Sequence, residues 1–399
     1  MSNNILFITD RNILTTCGEL RLIKNRAEVL FKQWNINTDF IVLARKNRIN
    51  SEHEKINIPC CMKIMERSVF NLVFEKQIRQ TINDMMQKKE YKVIILSGLL
   101  MEKLLPYIKN KFPECKVISD IHGAAEDVLE VSKKANYVKR FMLILLYMLE
   151  KYCLIKYLRK VDGIFVVSTA LKKYLDSNFM TNDIPSFKIP CATNSYAWNS
   201  NEYNYNRTYY RNKYLIAPDE KLFIYSGGIS SWQCVNETID IYKKISCRNS
   251  KIKMLFLSHD VDKIDRQIIE KLGIITDSYS ALEVEKVLCA GDYAFLLRKE
   301  NITNEVAYPN KFLEYVKSGM HIITTPYIQD VFYQVQKYNL GTSIEFKNSD
   351  IDKLLKYIDK TENYQIDFTA REKVLVENAF CTTLQSFVKQ YFSDGEVKL

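Results

Sequence analysis

The sequence predicts an α/β protein of two domains, each built on a sheet of parallel strands. The chain has 399 residues, and chains beyond about 250–300 residues commonly divide into more than one core. Short apolar runs alternate with longer segments whose apolar residues recur every three or four positions, which is typical of repeated βα units. Hydrophobic residues make up 47% of the chain and charged residues 26%, so the composition excludes a disordered protein.

The predicted strands are the short apolar runs, and the predicted helices are the amphipathic segments between them. In the first half the strands are residues 5–9, 39–43, 93–96, 116–119 and 163–167. The helices of this half lie around residues 20–34, 72–87 and 101–111. In the second half the strands are residues 222–225, 254–257, 293–297 and 322–324, again with helices between them.

The composition changes at residues 194–212, a run of Asn, Tyr and Ser with few aliphatic residues. Such a segment favours a linker, and the domain boundary is therefore predicted at 195/196. The first domain is expected to span residues 1–195 and the second residues 196–379. The remaining residues, about 380–399, contain an amphipathic helix near residues 384–391.

Cysteine usage and the N-terminus favour the cytoplasm. The ten cysteines are scattered without a C-x-x-C pair or zinc-ligand spacing, so they are interpreted as reduced thiols. Met1 leads almost directly into an apolar strand without a basic segment, and no leader peptide is expected. No run of about 18 uncharged apolar residues predicts a transmembrane helix.

The net charge of +10 has two interpretations. The lysines can simply be solvated, or they can attract anionic lipid or phosphorylated ligands. Nucleic-acid binding is not expected, because no recognition module and no interleaving of arginine with aromatic residues occurs.

The segment Pro309-Asn310-Lys311-Phe312-Leu313-Glu314-Tyr315, which continues to Gly319, predicts a ligand site. Lys311 falls in the first turn of an amphipathic helix, and Glu314 follows three residues later on the same face. Free N–H groups and the dipole of a helix N-terminus attract phosphate. The lysine therefore suits a diphosphate and the carboxylate suits sugar hydroxyls. The alternative for Glu314 is a surface pair with Lys317 or Lys311.

Two further features of the second half fit a phosphate ligand. Gly227 and Gly228 follow a strand, where glycines allow close approach of the backbone to a ligand. Arg298 ends another strand, and ligands bind at the carboxyl ends of parallel strands. The alternatives are a plain tight turn at the glycines and a surface ion pair at Arg298.

In the first half, Asp120-Ile121-His122-Gly123 follows a predicted strand. The imidazole of His122 can donate a hydrogen bond to a sugar or acceptor oxygen near neutral pH, or it can simply be bonded within its loop. Glu126 can face the acceptor or serve as an N-terminal helix charge. The other histidines, His53, His259 and His321, are interpreted as structural.

The segment 137–160 combines the apolar run Phe141–Leu149 with flanking lysines and arginines. One interpretation is a helix lying at a membrane surface near a lipid-linked acceptor. The other is a core helix packed on the sheet, and the two can hold for different faces.

The pattern P-x-K-x-x-E-Y-x-x-x-G at Pro309–Gly319 resembles the donor-binding segment of GT-B glycosyltransferases. The resemblance is to family 4, the "glycosyl transferases group 1", and to its bacterial polysaccharide subgroup. It extends to the Ser226–Gly228 turn, to Gly291–Arg298, to Asp120–Gly123 and to Val161–Ser168. It implies two Rossmann-like domains whose parallel sheets face an interdomain cleft. The acceptor side is then the first domain, the donor side is the second, and the last helix crosses back onto the first domain.

The resemblance also implies roles for individual residues. Catalysis would rest on His122, Lys311 and Arg298, and the acceptor side would include Asp120, His122 and Glu126. The donor, a UDP- or GDP-linked sugar, would contact Gly18, Gly227, Gly228, Ile275, Asn310, Lys311 and Glu314. Gly18 matches the glycine-bearing first loop, and Ile275 a loop that reads the nucleobase. Family 4 enzymes retain the anomeric configuration without a bound metal, and no D-x-D motif occurs in a suitable loop. No cofactor is expected besides the nucleotide sugar, and the acceptor would be a polysaccharide or a lipid-linked oligosaccharide.

The sequence departs from the family pattern at two points. The basic pair usual after Gly228 is replaced by serines and a tryptophan. The family pattern has two glutamates separated by seven residues, and Glu314 matches the second. The position of the first is occupied by Val306, and the nearest glutamate, Glu305, lies one residue too early. The loop 304–308 is expected to offer backbone N–H groups instead. A GT-B sugar-nucleotide epimerase and a non-catalytic partner subunit remain alternatives.

Overall fold

The computed structural model describes residues 3–11, 13–14, 18–44, 58–67, 75–133, 135–190, 198–361 and 367–392, with the backbone alone at 18–21, 231, 281 and 282. Its contacts divide the chain into two units. The first is Met1–Asn194 with Asn378–Leu399, and the second is Ser195–Glu377. Each unit is an α/β body around one parallel sheet, so the predicted fold class is confirmed at this level.

The sheet of the first unit has the strand order β3-β2-β1-β4-β5-β6-β7. Residues of β1, β2, β4 and β6 are almost all buried, as expected for strands covered by helices on both faces. These strands therefore appear in the sequence as continuous apolar runs. The strands are β1 Asn4–Thr9, β2 Asn37–Ala44, β3 Met62–Glu66, β4 Val93–Ser97, β5 Lys116–Ile121, β6 Gly163–Val166 and β7 Ser186–Lys188.

Helices connect these strands. Two of the helices are extended by short 3-10 turns, Met101–Leu104 and Leu158–Lys160. The helices are α1 Gly18–Trp34, α2 Lys76–Lys88, α3 Leu105–Lys111, α4 Asp127–Ser132, α5 Tyr137–Tyr157 and α6 Thr169–Phe179. The described part of the chain contains no helix with both the length and the apolar character needed to cross a bilayer.

The end of the chain completes the core of the first unit. The ring of Phe387 lies 4.8 Å from that of Phe165 and 5.7 Å from that of Phe187. The hydroxyl of Tyr391 donates to the carbonyl of Asp162. Apolar burial and a partly buried hydrogen bond thus attach this segment to β6 and β7. Its helices are α16 Phe380–Thr383 and α17 Gln385–Tyr391.

The sheet of the second unit has the order β10-β9-β8-β11-β12-β13. Its strands are β8 Lys221–Ser226, β9 Ile252–Leu257, β10 Ile275–Asp277, β11 Tyr293–Leu296, β12 His321–Thr324 and β13 Gly341–Ser343. Its helices are α7 Ser200–Lys213, α8 Val235–Ser246, α9 Arg266–Lys271, α10 Ala281–Leu288, α11 Ile302–Glu305, α12 Asn310–Lys317, α13 Gln329–Lys337, α14 Asp350–Thr361 and α15 Phe368–Asn378.

The linker prediction for residues 194–212 is wrong for most of that segment, which forms helix α7. Residues 191–197 lie outside the described part. Asn199 caps the helix by accepting a hydrogen bond from the backbone N–H of Glu202 at 2.9 Å. Arg207 and Arg211 both form ion pairs with Asp292, the latter at 3.0 Å. Because the residues of α7 have low intrinsic helix propensity, these tertiary contacts, and not the local sequence, favour the helix.

Candidate functional site

Each sheet reverses its strand order between two neighbours, and this switch point is where open α/β sheets bind ligands. In the second unit the neighbours are β8 and β11. Strand β8 ends at Ser226 and is followed by Gly227, and β11 is followed by Leu297 and Arg298. Gly227, predicted to bind the donor, and Arg298, predicted to act in catalysis, therefore lie at the carboxyl ends of the two switch-point strands.

Lys311 lies directly against Gly227. It is the second residue of α12, after Asn310. A Cβ atom on Gly227 would come within 1.7 Å of the Nζ atom of Lys311, and the φ angle of Gly227 is 141°. The backbone angle therefore favours glycine at this position, and a Cβ atom would displace the Lys311 amine. The structure thus brings Gly227 and Lys311 together, two residues that the sequence placed on separate motifs.

Hydrogen bonds connect the glycine turn to α12 and close the turn itself. The hydroxyl of Tyr315 accepts from the backbone N–H of Ser226 at 3.0 Å. The hydroxyl of Tyr225 lies 2.6 Å from both the carbonyl of Gly228 and the side-chain oxygen of Gln233. Tyr315 thus attaches α12, the helix that carries Lys311, to the end of β8.

The electrostatics of this site favour an anion. Burial, with a smaller contribution from Arg298, lowers the pKa of Lys311 to about 8, against the opposing effect of Glu314. Burial also lowers the pKa of Arg298, whose guanidinium donates to the carbonyl of Leu297 at 2.8 Å. Among the described residues, the carboxylate of Glu314 acts on Lys311, whereas no carboxylate acts on Arg298. Arg298 is buried and Lys311 is half-buried. The alternative of a surface ion pair at Arg298 is therefore wrong, and the two neighbouring cations favour a negatively charged ligand.

Glu314 is buried one turn after Lys311. Its alternative pairing with Lys317 is excluded, because Lys317 pairs with Glu285 at 2.7 Å and lies 4.2 Å from the ring centre of Trp198. The carboxylate of Glu314 thus belongs to the same cluster as the half-buried Lys311, as its interaction with the Lys311 amine also indicates.

A cavity of about 180 Å³ adjoins the glycine turn. Its wall is formed by the carboxyl ends of β8 and β9 and by the segment after β10, and includes Gly227, Gly228, Ser258, His259, Asp260, Ser278 and Tyr279. The prediction for Ile275 needs correction, because Ile275 lies within strand β10 and not in a loop after a strand. Ser278 and Tyr279, three and four residues later, line the cavity instead.

Four of the five residues of the loop 304–308 do not offer their backbone N–H groups as predicted. Residues 302–305 form the short helix α11, and the N–H groups of Asn304, Glu305, Val306 and Ala307 all donate to carbonyls within this segment. The side chain of Val306 is buried, and Glu305 accepts from Gln329 at 3.4 Å. This segment therefore supplies neither the missing glutamate nor those four backbone donors.

The first unit has a larger cavity, of about 550 Å³, at its own switch point between β1 and β4. Residues from several elements line it, among them Asp10, Arg11, Arg67, Gly98, Glu102, Asp120, His122, Gly123, Asp127 and Glu150. Two of the predicted acceptor-side residues, Asp120 and His122, therefore share one cavity.

Asp120 and His122 form a buried polar network at the end of β5. The Nε2 atom of His122 lies 2.9 Å from Asp120, and Arg26 and Ser97 contact the same carboxylate at 3.0 Å. Burial alone would raise the pKa of Asp120, but Arg26 and His122 together hold it well below its usual range. Burial and Arg11 lower the pKa of His122. A neutral His122 then donates from Nε2 to the ionised Asp120 and keeps Nδ1 as an acceptor.

The other predicted residues of this unit lie elsewhere. Glu126 is bound by the hydroxyls of Tyr147, at 3.3 Å, and Tyr174, and it is not part of the cavity wall. Gly18 is the first residue of α1. The loop before it, residues 15–17, lies outside the described part, so the role of Gly18 stays a prediction.

The interpretation of three histidines as structural has mixed outcomes. His321 is buried and bonded to the hydroxyl of Tyr357 at 2.9 Å, and burial lowers its pKa to about 4. His259 is exposed at the smaller cavity, where sequence reasoning did not place it. His53 lies outside the described residues.

Sequence reasoning missed two buried carboxyl groups of the larger cavity. Glu102 accepts from Ser119 at 2.5 Å, and Glu150 accepts from the backbone N–H of Leu100 at 2.7 Å. Burial raises the pKa of Glu102. Burial and the neighbouring Glu102 raise the pKa of Glu150 to about 8. No motif marks these residues, whereas Asp10 and Arg11, directly after β1, could have been found from their position at a strand end.

Comparisons with known proteins agree on the fold. No family model matches the chain, and no curated protein matches it. The chain is similar to sucrose-phosphate synthase from Thermosynechococcus elongatus, with a TM-score of 0.66 and 12% identity over 98% of this chain and 100% of that one. It is similar to HepE from Anabaena, solved in complex with UDP, with a TM-score of 0.63 and 10% identity over 99% and 100% of the chains.

A third similar structure is the lipopolysaccharide outer core galactosyltransferase WaaB in its apo form. Its TM-score is 0.63, at 13% identity over 98% of this chain and 99% of that one. Identities this low establish the fold alone. Together with the two parallel sheets, they confirm the GT-B architecture that the sequence predicts.

Proposed function

We propose that the protein is a metal-independent glycosyltransferase of the family 4 type. It transfers a hexose from a UDP- or GDP-linked sugar to a polysaccharide or lipid-linked oligosaccharide, with retention of the anomeric configuration. The observation that carries the proposal is the pair of neighbouring cations, the half-buried Lys311 and the buried Arg298, beside the glycine turn at Gly227. Two similar structures, HepE and a trehalose-6-phosphate protein from E. coli, hold UDP or a UDP-sugar.

In this proposal Lys311, Arg298 and the N-terminus of α12 stabilise the charge that develops on the leaving diphosphate. Glu314 accepts hydrogen bonds from the sugar or ribose hydroxyls. The cavity of about 180 Å³ at Ser278 and Tyr279 receives part of the nucleotide. The chemistry needs no cofactor besides the nucleotide sugar.

On the acceptor side, His122 orients a hydroxyl of the acceptor or of the donor sugar. The free Nδ1 of the neutral imidazole accepts a hydrogen bond, while Asp120 fixes the ring through Nε2. Since family resemblance placed these residues in the domain that binds acceptors, the cavity of about 550 Å³ is the proposed acceptor pocket. We expect the protein in the cytoplasm, in peripheral contact with the inner face of the membrane.

A thermal-shift screen of nucleotides and nucleotide sugars tests the proposal. UDP or GDP and one of their sugars should raise the melting temperature, because a ligand that binds only the folded state stabilises it. Incubation of that donor with glycan acceptors should then release the nucleoside diphosphate. If no nucleotide stabilises the protein, the donor site is wrongly assigned; if donors bind but never turn over, the protein is a non-catalytic partner.

A sugar-nucleotide epimerase is the second candidate, favoured by the carboxyl groups of Asp10, Glu102 and Glu150 in the larger cavity. A raised pKa, such as that of Glu150, suits a carboxyl group for proton transfer near neutral pH. Product analysis with the donor alone separates the two functions. An epimerase converts the sugar without an acceptor, whereas a transferase does not.

A further inference from the structure

Helix α5, Tyr137–Tyr157, presents apolar side chains on its outward face. Phe141, Leu145, Met148, Tyr152 and Ile155 follow one another at intervals of four and three residues, and each is between 49% and 70% exposed. This spacing forms a single stripe along the helix. Further exposed apolar residues flank the stripe, namely Tyr137, Val138, Met142, Ile144 and Leu149. We call these ten residues the α5 surface.

The inward face of the same helix is less uniformly apolar. Its buried residues are Glu150, Cys153 and Leu154. A surface helix of a water-soluble domain normally has the opposite arrangement, with apolar residues inside and charged residues outside. Core packing therefore explains only the inward face, and the α5 surface is an apolar patch of the kind that marks an interaction site.

The charges around the α5 surface identify its partner. Lys139, Arg140 and Lys156 are exposed on the helix, and Arg159 and Lys160 directly follow it. The helix has one acidic residue, Glu150, and that residue is buried. An exposed apolar stripe bordered by basic residues alone fits an anionic lipid surface. A second copy of the chain fits less well, because it would bring the same basic residues together.

We propose that the α5 surface inserts into the interfacial region of an anionic lipid bilayer. Glu150 and Leu154, on the inward face of α5, line the cavity of about 550 Å³. Because a helix with its side chains is only about 10–12 Å thick, docking through α5 holds that cavity next to the lipid headgroups. If the proposed transferase function is right, the acceptor is therefore a glycan carried on a lipid, presented from the bilayer.

Vesicle flotation of the full-length protein tests the docking. The protein should float with vesicles of phosphatidylcholine and phosphatidylglycerol, and much less with phosphatidylcholine alone. Each basic residue near such a surface changes the affinity by about fivefold, and the contribution weakens at high salt. Lys139→Glu with Arg140→Glu should therefore lower binding at least about 25-fold. Equal charge reversals at Arg266 and Lys271, on α9 of the second unit, serve as the control.

Two matched tyrosine variants test the apolar contribution to vesicle binding. Tyr152, in the α5 surface, is 60% exposed, and Tyr333, on α13 of the second unit, is 63% exposed. Tyr152→Glu should reduce vesicle binding at least about tenfold, and Tyr333→Glu should leave it unchanged. Circular dichroism verifies that both variants fold, as expected for substitutions of exposed side chains.

Three outcomes overturn the proposal. They are failure of the wild type to float with anionic vesicles, wild-type binding by Tyr152→Glu, and a wild-type dimer in solution that Tyr152→Glu disrupts. The last outcome would assign the surface to a second copy.

Calorimetry with UDP and GDP, on the wild type and on Tyr152→Glu, separates this proposal from the proposed function. Nucleotide binding without vesicle binding refutes docking alone, and vesicle binding without nucleotide binding refutes the donor assignment.

Discussion

Replacing Lys311 by methionine should stabilise the free protein and at the same time weaken its binding of a nucleoside diphosphate. The pKa of Lys311 is about 8, against an ordinary value of 10.5. A lowering of this size corresponds to about 3 kcal/mol by which the protonated amine destabilises the fold. This penalty is fully present below pH 8 and disappears as the pH rises to 10.5. At pH 7 an uncharged side chain of similar length avoids it, so the melting temperature should rise.

The same amine should be favourable once a diphosphate is bound. A charge-assisted hydrogen bond contributes about 1.5–3 kcal/mol, so Lys311→Met should bind UDP or GDP about ten- to hundredfold more weakly. The wild-type affinity should also fall as the pH rises above 8, because the free protein then loses the charge. The variant should show no such dependence. Isothermal titration calorimetry between pH 7 and pH 9 measures both effects.

Lys299→Met is the matched control, because Lys299 directly follows Arg298 after strand β11 but is exposed and pairs with Glu237. Its nucleotide affinity should change less than about twofold, since exposed ion pairs contribute little. Two results would refute the reasoning. Wild-type nucleotide affinity in Lys311→Met would place the diphosphate elsewhere, and a lower melting temperature would make Lys311 a structural residue.

Three further variants test neighbouring contacts. Glu314→Gln keeps the shape but weakens the hydrogen-bond acceptor, so donor affinity and turnover should both fall; wild-type kinetics would remove Glu314 from the site. Gly227→Ala should lower nucleotide affinity about tenfold or more, because its Cβ would displace the amine of Lys311; Gly273→Ala, at an open position, should bind normally in calorimetry. Arg26→Met leaves Asp120 buried without its ion pair and should cost about 3–5 kcal/mol in urea unfolding. Adding Asp120→Asn should recover part of that lost free energy of unfolding. If the losses of the two single variants simply add in the double variant, the ion pair is not the cause.

The strands that the sequence predicts and those it misses differ in their place in the sheets. All nine predicted strands occur, within one or two residues at their ends. The four that were not predicted as strands, β3, β7, β10 and β13, are the outermost strands of the two sheets. An edge strand has a neighbouring strand on one side only, and these four are incompletely buried. They therefore lack the continuous apolar run by which a central parallel strand is found.

The site residues divide in a similar way. Gly227, Arg298, Asp120 and His122 were found because they follow predicted strands, and a strand end in a parallel sheet is a functional position by topology alone. Glu102 and Glu150 come from helical turns and reach the same cavity as His122 only through tertiary packing. Local sequence carries no signal of that kind, since neither the spacing nor the neighbours of a helical glutamate reveal what it faces.

The departures from the family pattern in the second unit become physically consistent in the folded chain. Serines and a tryptophan replace the usual basic pair after Gly228, but Lys311 and Arg298 bring two positive charges to the same turn from α12 and β11. Arg298 is buried and Lys311 is half-buried, so each acts through a lower dielectric than an exposed lysine and attracts an anion more strongly. The cost is repulsion and desolvation in the free protein, in agreement with the lowered pKa of both side chains. A diphosphate relieves both at once, and for this reason binding and stability are expected to change in opposite directions when Lys311 loses its charge.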